Sequence, residues 1–182
     1  FPCYAGAALK LTGVDDLLAG LAKWTVPFTP HQKFSARVFK VSHDKNDRLT
    51  WLRVTGGQLQ AKAALVDDQK ANQIRDYNGA KFTIKQVVPA GDVCAVTGLD
   101  TTFPGQGLGA EEDLQQATFQ PVLSYAVDPR GNDIHACLAA LRQLEDEDPQ
   151  LAVTWSEHLQ EIHVHLMGEV QLEVLQQLLA ER

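Results

Sequence analysis

The sequence predicts a multi-domain protein, mainly β followed by α+β, in which a closed β-barrel precedes an incomplete split βαβ domain. Short runs of β-branched and aromatic residues, separated by turn signals, fill residues 33–99. Strand and helix patterns then alternate in the order β-α-β-β-α. The net charge changes sign near the point where the first pattern gives way to the second. Residues 25–99 hold 11 basic and 6 acidic residues (net +5), and residues 100–182 hold 3 basic and 15 acidic residues (net −12).

The N-terminal segment, residues 1–24, has the pattern of the end of an α/β unit. We expect a short strand at 1–4, then a helix opened by Thr12 or Gly13. Its apolar face is Val14, Leu17, Leu18 and Leu21. Residues 26–30 predict a linker, because two prolines disfavour helix and interrupt ladders. Since the chain begins with Phe1 and its one methionine is Met167, we expect a piece of a longer protein.

The barrel prediction depends on many short strands, since closure of a sheet removes its exposed edges. The two longest candidates are 34–41 and 49–54, joined by a polar turn. Shorter candidates are 64–66, 81–84 and 93–96. The glycines of 105–109, followed by acidic residues, predict a domain boundary near 105–117.

The last segment predicts a ferredoxin-like split βαβ domain that lacks its fourth strand. Asn132 is the expected N-cap of the first helix. The expected inward residues of that helix are Ile134, Leu138, Leu141 and Leu144. Strands are expected at 122–127, over Leu151, Val153 and Trp155, and over Ile162, Val164 and Leu166. After Gly168 a second helix carries Val174, Leu175, Leu178 and Leu179 on one face.

Composition gives no indication of a membrane or disulfide protein. No run of about 18 apolar residues occurs, so no membrane partner is expected. Cys3, Cys94 and Cys137 are odd in number and form no CxxC pair. Reduced thiols and a cytoplasmic location are therefore expected.

Histidines and acidic residues raise the question of a metal site. His163 and His165 share one strand face, with His158 nearby, which would allow zinc. Because no Cys, Asp or Glu is expected on that face, surface or interface histidines are the favoured interpretation. The acidic run 145–148 lacks the spacing of a calcium loop, and we expect an exposed helix end. Acid at a helix C-terminus opposes the dipole, which hints at a basic partner.

No catalytic constellation is expected. Glu169 and Glu173 lie on one helix face, but the position of Glu169 in the first turn is explained by dipole compensation. No GxSxG, HExxH or Cys/His arrangement occurs. Metal ligands are likewise not predicted.

Three stretches together resemble the translational GTPases of the elongation factor G type. Residues 1–9 with 13–18 resemble the last guanine-contacting loop of the G domain and its helix. Residues 36–41, 48–54, 57–59 and 89–99 resemble the translation-factor β-barrel, domain II. Residues 147–149 and 167–174 resemble domain III. Val170-Gln171, in place of a Leu-His pair, and the opening Phe1-Pro2-x-Tyr4 are similar to the tetracycline-resistance ribosomal protection proteins.

The resemblance implies three domains and a ribosomal role. The implied limits are 1–24 for the tail of a G domain, 25–112 for domain II and 113–182 for domain III. The parent would bind GTP and magnesium, dock on the ribosome and release tetracycline; the alternative is translocation by elongation factor G. Domain II would face small-subunit rRNA and domain III a ribosomal protein. The piece itself is expected to be a monomer.

The chain has little of the nucleotide site. No GxxxxGK[ST] loop occurs, so neither GTP binding nor hydrolysis nor any other cofactor is expected in this piece. The nucleotide-binding remnant implied by the resemblance is Gly6, Ala7, Ala8 and Leu9. The family commonly has serine where Ala7 stands, so a possible side-chain bond to the base is lost.

Cations of the barrel are the candidate RNA contacts, since Lys and Arg supply most phosphate contacts. The candidates are Arg37, Lys40, Arg48, Arg53, Lys81 and Lys85. The alternative is solvated charge on outward strand faces. Trp51 and Trp155 could stack on bases, but core packing is the expected role of both. Three function classes stay open: a ribosome-binding part of a GTPase, a plain RNA-binding barrel module, and a structural piece that binds nothing alone.

Overall fold

The computed structural model describes residues 1–44, 47–114 and 121–181 of the chain. Two separate hydrophobic cores organise it, one inside a β-rich module and one inside an α+β module. This confirms the predicted fold class. The predicted domain limits stay predictions, and residues 115–120, next to one of them, lie outside the described residues.

The N-terminal segment contains helix α1, Val14–Trp24, preceded by the 3-10 turn Ala8–Lys10. The predicted helix start is confirmed, with Gly13 at φ 75° as the N-cap. The predicted strand at 1–4 is wrong, because no described strand lies beside it to complete a ladder. On α1 an apolar stripe faces solvent; its members are Leu17, Leu18, Leu21 and Trp24.

Ten strands make up the β-rich module, which we call the barrel. They are β1 Ser35–Asp44, β2 Asp47–Gly56, β3 Gln58–Gln60, β4 Ala64–Val66, β5 Gln69–Lys70, β6 Gln73–Asn78, β7 Lys81–Lys85, β8 Val87–Pro89, β9 Val93–Thr97 and β10 Gly107–Gly109. Six of them form one antiparallel sheet in the order β10-β1-β2-β9-β6-β7. The ladders β3-β8 and β4-β5 complete the module.

Alternation along the two long strands decides which side chains enter the barrel core. Val38, Leu52 and Val54 are fully buried, while Arg53 between the last two is exposed. A register shift between Val38 and Lys40 places Phe39 outside, where it is 48% exposed. The predicted strands at 34–41, 49–54, 64–66, 81–84 and 93–96 are all confirmed within a few residues.

The glycine-rich stretch contributes the strand β10 to the barrel, and the boundary predicted near 105–117 stays a prediction. β10 pairs with β1, with Ala36 opposite Leu108 and Arg37 opposite Gly107. A side chain at Gly107 would collide with the Glu111 backbone, and Gly109 has φ 68°. Glycine here permits close backbone approach, while the intervening Leu108 is 2% exposed in the core.

The α+β module has the predicted order β-α-β-β-α. Its elements are β11 Leu123–Val127, α2 Ile134–Glu147, a 3-10 turn Pro149–Leu151, β12 Thr154–Ser156, β13 Glu161–Leu166 and α3 Glu169–Glu181. The sheet order is β11-β13-β12, with both pairs antiparallel. Ile162, Val164 and Leu166 are buried beneath Leu141 and Leu144 of α2.

Two local predictions in this module are wrong. The N-cap of α2 is Asp133, not Asn132, because the Asp133 carboxylate accepts hydrogen bonds from the His135 and Ala136 amides at 3.2 and 3.3 Å. On α3 the buried residue is Leu175, while Val174 is 50% exposed. The inward spacing runs through Leu172, Leu175 and Leu179. None of the described helices is long and apolar enough to span a membrane.

Candidate nucleic-acid interface

The six predicted RNA-facing cations lie in three different environments. Lys40 and Arg53 are exposed on the outer face of the main sheet; Arg37 and Arg48 are largely enclosed by protein; Lys81 and Lys85 lie on the β6-β7 hairpin. The sequence therefore identified the basic strands but did not separate free from internally paired charge.

Lys40 and Arg53 are exposed cations that lie over aromatic rings. Lys40 is the cross-strand partner of Trp51, with its Nζ 6.0 Å from the ring centroid. The Arg53 guanidinium lies 4.8 Å from the Phe28 ring centroid. Neither has a carboxylate partner within salt-bridge distance in the part of the chain that the structure describes. Cation–π contact orients both side chains without neutralising them.

A row of aromatic rings continues this face across the sheet. Trp51 lies 4.9 Å from Tyr77, and Tyr77 lies 5.2 Å from Phe82, both pairs tilted. The core prediction for Trp51 is wrong, since the ring is half-buried on the outer face and its Nε1 donates to Ser42 Oγ at 2.8 Å. Cross-strand pairing explains this position, because Trp51 shares a face of the sheet with its partner Lys40 on β1, which is exposed. Trp155, in contrast, packs against the α+β core as predicted.

Arg75 lies on the same face of the sheet but was not among the cations predicted from the sequence. It is 8% exposed, its Nη2 donates to Asp47 Oδ2 at 2.5 Å, and its guanidinium lies 4.6 Å from the Phe82 centroid. Burial is the largest single influence and opposes the charge, but hydrogen bonds and Coulomb attraction from Asp47 and Tyr77 together outweigh it and raise the pKa of Arg75. The alternation of β6 was the available signal, but that strand was not predicted.

We call the surface formed by Lys40, Trp51, Arg53, Tyr77 and Phe82 the outer aromatic face. It combines long, exposed cations with exposed ring area, since Phe82 is 42% exposed. Aromatic rings beside Lys and Arg suit unpaired nucleic acid, because bases stack on rings while cations neutralise phosphate.

Arg37 is held by Glu111, which lies just beyond β10. The two form a salt bridge, and Arg37 is 24% exposed. Hydrogen bonds from Thr55 and Arg37 hold the pKa of Glu111 below its ordinary value, although burial opposes them. Arg37 therefore carries a charge that the protein already neutralises.

Arg48 is paired within the protein, and its role as an RNA contact stays a prediction. Its side chain is 13% exposed. Its Nε and Nη2 donate to the two carboxylate oxygens of Asp146, each at 2.6 Å. It also donates to the Leu99 and Thr102 carbonyl oxygens at 2.5 and 2.6 Å. The reason is topological: the acidic end of α2 lies against this end of β2.

Lys81 and Lys85 lie on the opposite side of β7 from Phe82. Lys81 is exposed. Lys85 forms a 2.6 Å ion pair with Asp76, and the hydrogen bond from that pair raises its pKa. Among the residues that the structure describes, the hairpin therefore presents Lys81 without an ion-pair partner and Lys85 paired with Asp76, both away from the outer aromatic face.

The nucleotide-binding remnant is an exposed turn. The Ala7 amide donates to the Thr12 carbonyl oxygen at 3.0 Å, and Leu9 is fully exposed. A side chain at Gly6 would approach the same carbonyl oxygen to 2.6 Å. Gly6, Ala7, Ala8 and Leu9 thus form a tight loop, and the absence of GTP binding in this chain stays a prediction.

Histidines and cysteines have local roles. Contrary to the expected absence of acid on the β13 face, Glu161 shares it, and its carboxylate lies 3.3 Å from His163 Nε2. His165 Nδ1 contacts the Ala152 carbonyl oxygen at 3.0 Å. Across the described ranges no three His, Cys, Asp or Glu side chains are grouped to hold a metal. Burial raises the pKa of Cys94 to about 12, which makes that thiol inert.

Comparison with known proteins identifies relatives along almost the whole chain. Residues 119–182 match the family "Elongation Factor G, domain III". "Tetracycline resistance protein TetP" of Clostridium perfringens is 28% identical over 194 residues, covering 98% of this chain and 29% of the relative. "Elongation factor G 2" of Syntrophus aciditrophicus (strain SB) is 31% identical over 205 residues, covering 96% and 30%.

A solved structure from Thermus thermophilus has the same fold. Its TM-score is 0.71 at 24% identity, covering 92% of this chain and 28% of that one. The chain thus spans about 30% of the length of the curated relatives reported above.

Proposed function

Because this chain is related to the translational GTPases of the elongation factor G type along almost its whole length, we propose that it is the ribosome-contacting central part of such a GTPase. In this proposal the barrel contacts small-subunit rRNA and the α+β module contacts a ribosomal protein. GTP and magnesium would be held by other parts of the parent, and this part would act as a monomer in the cytoplasm. The chain has no phosphate-binding GxxxxGK[ST] loop of its own.

The observation that carries the RNA contact is the outer aromatic face. Lys40 and Arg53 project from it with no described carboxylate neutralising either one. Trp51, Tyr77 and Phe82 form a continuous set of rings beside them. Neutralised phosphates release counterions, so this face would bind RNA with a marked salt dependence. The α+β module, with its many carboxylates, suits a basic protein surface better than phosphate.

We further propose that the parent releases tetracycline from the ribosome; translocation is the alternative. Val170-Gln171 supports the first, and the structure shows what Gln171 does. Its Oε1 accepts from the Met167 amide at 2.8 Å, which caps the start of α3, while Val170 is 75% exposed. Relatives named for each activity have similar identity, at 28% and 31%.

The RNA contact is tested by co-sedimentation of the chain with small ribosomal subunits across a salt series. The variant is Lys40→Ala with Arg53→Ala, and the control is Lys62→Ala with Lys70→Ala, which removes the same charge from exposed positions outside the face. We expect the first variant to lose binding and its salt slope to fall by about 1 per cation removed. If both variants lose binding equally, the chain attracts RNA through its overall charge and not through the outer aromatic face.

A second arm replaces rings instead of charges. Phe82→Ala should weaken binding to subunits by about 1–3 kcal/mol if a base stacks there, with little change in the salt slope. Binding of naked RNA as strong as binding of subunits would favour the plain RNA-binding module. If no form pellets, the chain is a structural part without a binding role.

The two parent activities are separated with the longer GTPase proposed here. Ribosomes loaded with labelled tetracycline should release the label when the protein and GTP are added. Acceleration of translocation with no release of label would support the alternative instead.

A further inference from the structure

The linker between α1 and the barrel brings a further aromatic ring to the outer aromatic face. Phe28 belongs to this linker, residues 26–30, and the Arg53 guanidinium lies over its ring, 4.8 Å from the centroid. We propose that Phe28 is a positioning residue, which holds the Arg53 guanidinium in the orientation in which it binds an RNA phosphate. The part of this inference that concerns RNA rests on the proposed function, and the part that concerns the order of Arg53 does not.

Backbone hydrogen bonds bring Phe28 to the level of Arg53. The amide and the carbonyl oxygen of His31 bond to the backbone on either side of Gly56, each at 3.0 Å, and together they form a parallel bridge at the end of β2. Phe28 and Arg53 each lie three residues before that bridge. An extended linker that runs parallel to β2 therefore places the two residues side by side.

The linker restricts the position of the Phe28 ring. Pro27 and Pro30 flank Phe28 closely, and the ring of each proline fixes one backbone dihedral angle. The Phe28 ring also lies against the turn before β9, because a Cβ built at Gly91 would be 3.6 Å from Phe28 Cε1. This turn is bonded to the main sheet, since the Gly91 amide donates to the Val54 carbonyl oxygen at 2.7 Å. The ring therefore has a defined place although it is 44% exposed.

Arg53 has no other group on this face that could orient its guanidinium. Its cross-strand partners are Arg37 and Val93, and neither side chain has a hydrogen-bond acceptor. Within the described ranges, no carboxylate lies within salt-bridge distance of Arg53. A carboxylate would orient a guanidinium but would also occupy its N–H groups and neutralise its charge. The ring of Phe28 orients the cation and leaves its N–H groups available to phosphate.

An arginine that is ordered before RNA arrives binds more strongly than a mobile one. A long side chain loses rotamer freedom when a partner fixes it, and this loss opposes binding. If the Phe28 ring has already restricted Arg53, a smaller loss of freedom accompanies binding. The planar guanidinium gains most from a fixed orientation, because its two-pronged hydrogen bonds to phosphate require a defined direction.

The order of Arg53 is measured on the complete chain without RNA. Relaxation of the Arg53 ¹⁵Nε–Hε group should show an ordered side chain in wild type and a mobile one in Phe28→Ala. Phe28→Tyr keeps the ring and should retain the order. Val26→Ala, at a residue of the same linker that is 89% exposed, is the matched control and should behave as wild type. Phe28 belongs to neither hydrophobic core, so these variants should stay folded. The same Nε mobility in wild type and Phe28→Ala overturns the proposal.

Co-sedimentation with small ribosomal subunits tests the consequence for RNA. Phe28→Ala should weaken binding about 2–10-fold, which is the cost of fixing one mobile side chain. The salt slope should not change in this variant, because the charge of Arg53 remains, whereas Arg53→Ala should lower the slope by about 1.

A double variant separates positioning from direct contact with a base. If the Phe28 ring acts through Arg53, Phe28→Ala should have no further effect on binding in a chain that already carries Arg53→Ala. A further loss of binding in the double variant would show that the ring contacts RNA itself, which overturns the positioning role. If wild type does not bind subunits, the RNA part of the inference fails together with the proposed function. The relaxation of Arg53 still decides, in that case, whether Phe28 orders its side chain.

Discussion

Glu111, two residues beyond the last barrel strand, binds Arg37 at the other end of the sequence of the same module. The two residues are 74 positions apart. The same carboxylate accepts from Thr55 Oγ1 at 2.6 Å, so β1, β2 and the segment after β10 are joined at one point. The glycine strand is thereby fixed to the sheet edge by charge as well as by backbone pairing.

Glu111→Gln should lower the free energy of unfolding by about 1–3 kcal/mol at neutral pH, because Arg37 loses its charged partner in a mostly enclosed place. Since the folded-state pKa of Glu111 is lowered, its contribution is present above the ordinary carboxyl pKa and is lost as pH falls through the lowered value. Urea unfolding of wild type and variant at a series of pH values should therefore converge in acid. Glu112→Gln, at an exposed neighbour, should change little; equal effects of the two would contradict the prediction.

Leu108→Ala should destabilise the barrel by about 2–5 kcal/mol, because Leu108 is 2% exposed among residues of the main core. Denaturant unfolding measures the loss. Leu114→Ala, at a leucine 57% exposed a few residues later, is the control and should fall within about 0.5 kcal/mol of wild type. A small effect at Leu108 would mean that β10 is not a structural strand.

Asp133→Ala should lower the free energy of unfolding of the α+β module by about 1 kcal/mol, since two amides of α2 lose their acceptor. Asn132→Ala should cost only a few tenths of that amount, because the cap hydrogen bonds of α2 come from Asp133. Thermal unfolding followed by circular dichroism compares the two. A larger loss of unfolding free energy for Asn132→Ala than for Asp133→Ala would indicate that Asn132 is the N-cap, as the sequence predicted.

The cysteines should differ in reactivity toward Ellman's reagent near pH 8. Cys3 is exposed and should react at once, whereas Cys94 is buried, with its pKa raised to about 12 by burial. Thiolate is the reactive form, so Cys94 should react only after unfolding. Cys3→Ser removes the fast phase and leaves the slow one visible. Because Cys137 of the α+β module is partly exposed, the decisive variant is Cys3→Ser with Cys137→Ser, and a fast phase that persists in it would show that the barrel core admits the reagent.

Much of the fold follows from local sequence. Alternation marks Val38, Leu52 and Val54 as inward, and helical spacing marks Leu141 and Leu144. These patterns repeat over two to four residues, which is the range that backbone geometry imposes on neighbouring side chains. The β-α-β-β-α order and the resemblance to GTPases of the elongation factor G type were also predicted from the local sequence, and both are confirmed.

The candidate site depended on contacts between distant residues. Arg48 and Arg53 look alike in sequence, five positions apart on one strand pattern. Arg48 meets Asp146, 98 positions away, while Arg53 stays exposed over Phe28. Likewise, the sequence around Gly107 has the pattern of a linker, but in the structure this segment pairs with β1. Trp51 has the pattern of a core residue, but in the structure it pairs with Lys40 and lies on the outer face.

Sequence by itself determined which residues form strands and helices and which module is basic or acidic, because these depend on neighbours along the chain. Only the tertiary structure decided which cations remain free and which are neutralised within the protein. The Coulomb energy of a charge falls with distance and with solvent screening, so the role of each cation is decided by the carboxylate that folding brings within a few ångströms.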